Sequence, residues 1–131
     1  MLWPRAFAMA ELAWTPANRK NWPEFINRVE KHFTRYNYSE TKYSPALYDP
    51  LLKVEMGKDN ILTLTMETQI PGLKLYYSFD NSFPDNFYPA YTGVINVPKD
   101  ASMFRVVSYR NGKLIGRMIS APIADLKKRI E

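Results

Sequence analysis

Oxygen donors and aromatic rings crowd one short stretch of this sequence, where Asp80, Asn81, Asp85 and Asn86 lie among Tyr76, Tyr77, Phe83, Phe87, Tyr88 and Tyr91. Donors at that density could hold a calcium ion, and flat rings beside them could stack on sugars. The register does not fit an EF-hand loop, and no bidentate Glu follows at the right distance, so a plain turn cluster is expected. Alternation along a strand sends Tyr76 and Tyr77 to opposite faces, so at most one of them enters a core. The rings are expected to form a sheet core and cover its edge, with sugar stacking or contact with a further domain as the alternatives.

Near the N-terminus the chemistry-bearing residues are Arg5, Glu11 and His32. Six positions separate Arg5 from Glu11, which puts them on different helical faces, and an ion-pair or packing role is expected of each. His32 has no second His or carboxylate at ligand spacing, so a place on a helix surface or in a hydrogen bond is expected. No catalytic, substrate-binding or metal-binding residue is assigned, and no cofactor is expected.

Composition narrows the classes further. With 131 residues, 46% hydrophobic and 24% charged, the chain can bury a core and does not carry the signature of disorder. The absence of Cys excludes disulfides, a thiolate nucleophile and Cys-based metal sites. No apolar run approaches the ~20 residues that cross a bilayer. Ala6 to Ala13 is apolar but short, contains Glu11 and lacks the flanks of a signal peptide. The net charge of +5 is scattered, its one dense run being Lys127-Lys128-Arg129, and no basic stripe interleaved with aromatics points to nucleic acid.

Two kinds of element must position these residues. From Pro4 to about Tyr36 the apolar spacing is helical: Phe7, Ala10 and Trp14, then Phe25, Ile26, Val29, Phe33 and Tyr36. Pro4 and Pro23 suit first helical turns, with Asn21 or Trp22 at the cap of the second helix, and Thr15-Pro16 breaks the path between the two. Asn37 to Pro50 has no sustained period and reads as an ordered linker. Six short strands are then expected at Leu52–Met56, Ile61–Thr68, Leu73–Phe79, Val94–Val97, Phe104–Tyr109 and Leu114–Ser120. Asn111-Gly112 supplies the two positive φ values of a type I′ hairpin turn. The expected fold class is α+β by segments: a helical pair over residues 1–36, a linker over 37–50, and an antiparallel, immunoglobulin-like β-sandwich over 51–131.

The segment Leu2 to Pro16 resembles the end of the catalytic domain in family 20 glycoside hydrolases, the β-N-acetylhexosaminidases. That family's Pro-Arg-x-x-Ala-x-Ala-Glu-x-x-Trp pattern, which opens the last helices of a (β/α)8 barrel, is filled here by Pro4, Arg5, Ala8, Ala10, Glu11 and Trp14. Trp22, Phe25, Arg28 and His32 are similar to its final barrel helix. Tyr77-Ser78-Phe79-Asp80-Asn81-Ser82-Phe83-Pro84, followed by Tyr91-Thr92-Gly93, resembles the chitobiase-type C-terminal domain found after such barrels. Asn81 stands where that pattern has Gly, and Val94 where Pro is common.

The resemblance implies a parent enzyme that removes terminal β-linked N-acetylhexosamine from glycans, secreted or periplasmic, using the substrate's own acetamide as nucleophile beside an Asp and an acidic Glu. The family's His-x-Gly-Gly-Asp-Glu motif has no counterpart here, since the chain has neither a Gly-Gly nor an Asp-Glu dipeptide. The chain alone is therefore expected to be a non-catalytic fragment, its sandwich stabilising the missing catalytic barrel. A carbohydrate-binding module and a protein-interaction domain are the alternatives. The helices are expected to fold back on the sandwich or to self-associate, burying Trp14, Trp22 and Phe33. Neither nucleic acid nor a membrane is expected as partner.

Overall fold

A computed structural model describes residues 2–130, which form two compact units, Met1–Pro45 and Ala46–Glu131. The division falls inside the stretch read as a linker.

In the first unit, α1 (Arg5–Trp14) and α2 (Trp22–Tyr38) flank a short 3-10 turn at Ala17–Arg19. Asn21 caps α2, its side chain accepting from the Glu24 N–H at 3.3 Å, and Pro23 follows in the first turn, where no N–H is needed. Phe25, Ile26, Val29 and Phe33 are buried along one face of α2, as their spacing requires. Phe33 also stacks on Tyr43 at 4.3 Å between ring centroids, and Tyr43 donates its hydroxyl to Asn37 Oδ1.

α1 behaves differently, with no buried residue. Phe7 turns toward α2 and touches Trp3, His32 and Tyr36; Ala10 and Trp14, at the expected helical spacing from it, line the same groove but are exposed. Of the three rings expected to be covered, Phe33 is 3% exposed, whereas Trp14 is 87% and Trp22 52% exposed.

The second unit contains β1 (Leu51–Met56), β2 (Leu62–Glu67), β3 (Lys74–Ser78), β4 (Ile95–Asn96), β5 (Met103–Arg110), β6 (Lys113–Pro122) and α3 (Ile123–Lys128). These strands make two three-stranded antiparallel sheets, ordered β1-β2-β4 and β3-β5-β6. Alternate residues of each turn into one shared core: Leu62, Leu64 and Met66 from β2, Leu75 from β3, Phe104 and Val106 from β5. Each such side chain, once buried, contributes ~1.5–3 kcal/mol of transfer free energy.

The hairpin between β5 and β6 closes through Asn111 and Gly112, with φ of 52° and 75°, the two left-handed residues that a type I′ turn requires. α3 was not anticipated from sequence. It adds Ile123 and the fully buried Leu126 to the core.

Candidate functional site

Two places in the chain combine polar chemistry with exposed rings. On the helical unit, Arg28 of α2 forks between two carboxylates, Nη2 lying 2.7 Å from Glu11 Oε1 of α1 and Nη1 3.3 Å from Glu24 Oε1 one turn earlier. Glu11 thus finds its cation on the neighbouring helix. The fork is partly solvent-exposed, so it adds at most ~1 kcal/mol to stability, and its effect is to hold the two helices in one register. His32 lies half-buried against the Phe7 ring at 4.8 Å and packs near Tyr36, a stacking role on the helix surface.

Around the fork the surface is uneven. A polar hollow of about 640 Å³ is lined by Asn18, Arg19, Lys20, Asn21 and Glu24. A mainly apolar groove of about 310 Å³ runs between Ala8, Leu12, Trp22 and Phe25, and another of about 250 Å³ lies by Ala10, Trp14 and Val29. Met9 and Leu12, 72% and 67% exposed, extend this apolar surface. Such a surface can pack against another apolar surface; of the ionisable groups around it, Glu11 and Glu24 are both held by Arg28, and His32 lines the groove by Ala10, Trp14 and Val29.

In the second unit the cluster at Asp80 builds a turn. Asp80 Oδ1 accepts from the Ser82 N–H at 3.1 Å and from the Ser82 hydroxyl, and these two bonds hold the Asp80 carboxyl below the usual carboxylate range. Asn81 sits at φ 64°, a conformation that Asn tolerates better than other non-glycine residues. Its Oδ1 accepts from Arg105 Nη2 at 2.6 Å, and the same guanidinium covers the Phe83 ring at 4.4 Å. Asp85 Oδ1 accepts from the Phe87 N–H, closing a second small turn. Both carboxylates therefore organise local backbone. Among the described residues, no group of three or more His, Asp or Glu side chains is placed to hold a metal ion.

The six rings of this region are placed differently. Tyr77 packs against the core with Phe79 and Phe104, while Tyr76 points to the opposite face and meets Tyr109 edge-on. Tyr91 ties the two sheets together, its N–H donating to Leu75 O and its hydroxyl accepting from the Met66 N–H of β2 at 3.0 Å. Tyr88 is half-buried. Phe83 and Phe87, however, are 69% and 89% exposed, which corrects their expected place in the core.

Sequence reasoning missed three partnerships: the Arg28 fork, the Arg105–Phe83 stack, and Arg117 gripping Asp49 Oδ2 through Nε and Nη2 at 3.0 and 2.9 Å. The last depends on a bulge: Ile119 and Ile115 face Val106 and Ser108, so β6 carries extra residues there, with Gly116 at φ 77° beside Arg117. The glycine was a visible signal for the bulge, but nothing local named Asp49 as the partner. No protein-family model and no curated protein matches this chain, so a functional reading must rest on its own residues.

Proposed function

We propose that this chain is the C-terminal part of a family 20 β-N-acetylhexosaminidase and is non-catalytic by itself. The helical unit would close the outer ring of the catalytic (β/α)8 barrel, and the two-sheet unit would be an immunoglobulin-like accessory domain that stabilises it.

The observation that carries this reading is α1. Eight of its ten residues are apolar (Ala6, Phe7, Ala8, Met9, Ala10, Leu12, Ala13 and Trp14), yet none is buried. A helix that is apolar on all sides belongs inside a larger body, because single-domain surfaces present a polar face to water. The pattern residues Pro4, Arg5, Ala8, Ala10, Glu11 and Trp14 lie on this same element or at its start. The left-handed Asn81 supports the second half of the resemblance, since it adopts the backbone that the family's Gly would supply.

The test compares Trp14→Ala in this chain with the same substitution in the longer enzyme. Thermal unfolding of this chain should be unchanged, and the longer enzyme should lose several degrees. Equal insensitivity in both would overturn the packing role. A second reading, carbohydrate binding by the two-sheet unit, draws on exposed Phe83, fixed from behind by Arg105, and on exposed Phe87. Titration with N-acetylglucosamine oligomers, followed by NMR shifts of those two rings, separates it from a purely packing role.

A further inference from the structure

We infer that β1 is a self-pairing edge through which two copies of this chain join, antiparallel, about a two-fold axis at Val54. This inference does not depend on the hexosaminidase reading.

Sheet order places β1 at the rim, paired only with β2. Two bonds show which of its groups face inward: the Gly57 N–H donates to Ile61 O at 2.8 Å, and the Thr63 hydroxyl donates to Glu55 O at 3.0 Å, both on the β2 side. Backbone groups of an antiparallel strand alternate in direction, so the N–H and C=O of Leu52, Val54 and Met56 point to the open side. Among the described residues, no backbone group from another element takes them.

The side chains select both partner and register. Centred on Val54, an antiparallel copy places Leu52 opposite Met56 and Val54 opposite Val54, and these pairs exchange the outward hydrogen bonds. Lys53 then stands opposite Glu55 of the second copy, twice by symmetry, in the non-hydrogen-bonded pairs where side chains approach most closely. A register centred on residue 53 would oppose Lys53 to itself, and one centred on residue 55 would oppose Glu55 to itself. Only the Val54 register matches opposite charges.

The other face of the strand agrees. Leu52 and Val54 are half-buried against the core, and Met56 is 49% exposed. Pairing Leu52 with Met56 of the second copy would extend that core across the axis. A lone Lys on an edge strand normally discourages pairing. Here Glu55 lies 3.2 Å from Lys53 Nζ, so the edge carries a complementary pattern in place of a repulsive one. The interface is small, and the association should be weak and concentration-dependent.

Sedimentation equilibrium of the full 131-residue chain, from micromolar to about 1 mM, tests this. The wild-type chain should reach a dimer. Lys53→Glu and Glu55→Lys should each weaken it about tenfold, because both cross-strand pairs become repulsive. An equimolar mixture of the two variants should restore association as a heterodimer. Both positions are exposed, and far-UV circular dichroism checks that the variants keep their fold. A wild-type monomer at every concentration would overturn the inference. So would a dimer that both charge variants leave unchanged, or one that Trp14→Ala abolishes while they do not.

Discussion

The helical unit and the two-sheet unit are both rich in apolar residues, yet they use them differently. In the two-sheet unit Leu64, Phe104, Val106 and Leu126 have no accessible surface at all, because residues from both sheets and α3 close on one another. In the helical unit the burial is one-sided: α2 keeps four buried residues while α1 keeps none. Apolar content alone therefore does not show where a partner lies. The contrast shows which unit closes its core on all sides and which leaves one helix's apolar residues exposed.

The largest expected effect breaks the core directly. Phe104→Ala should destabilise the two-sheet unit by ~3–5 kcal/mol, read from the shift of its urea midpoint at constant slope. An effect below ~1 kcal/mol would mean that this core is less closed than its burial indicates. Arg117→Ala comes next, at ~1–2 kcal/mol, because it strips a half-buried Asp49 carboxylate of its donors. On the helical side Asn21→Ala should cost α2 about 1 kcal/mol through its cap, seen as a lower far-UV helix signal on heating. Trp14→Ala sharpens the contrast, with an expected change within ±0.5 kcal/mol despite the loss of the largest side chain.

The smallest effect concerns pH. The Asp80 carboxyl is held below the ordinary range in the folded chain by its Ser82 bonds. Its contribution is therefore present above the unfolded carboxylate pKa and is lost as pH falls through the lower folded value. Ser82→Ala removes the hydroxyl bond and leaves the residue-82 N–H bond, so the Asp80 carboxyl should move up only part of the way toward the usual carboxylate range, which an NMR titration of its side-chain carbonyl would register.

Much of this organisation was legible because it is written locally. Strand periods placed all six strands to within a few residues, Asn111-Gly112 announced its hairpin, and Asn21 with Pro23 announced the start of α2. What escaped was long-range or short. Arg117 and Asp49 are 68 positions apart, and no local pattern links them. α3 has only six residues, too few for a helical period to stand out beside its basic run. The spacing of Phe7, Ala10 and Trp14 gave the helix and a shared groove, but not the exposure of Ala10 and Trp14, since apolar periodicity reads the same on a covered and an uncovered helix. At the Asp80 cluster the turn chemistry was legible, but the exposure of Phe83 and Phe87 was not, since ring-rich sequence looks the same inside a core and on its rim.

Hydrolysis of p-nitrophenyl N-acetyl-β-glucosaminide tests the proposed function most directly, with this chain assayed beside a longer protein that carries it as its C-terminal part. The account predicts no release of p-nitrophenol by this chain and clear turnover by the longer protein. Turnover by this chain alone would contradict it, as would a longer protein that folds, binds no such substrate and releases no product.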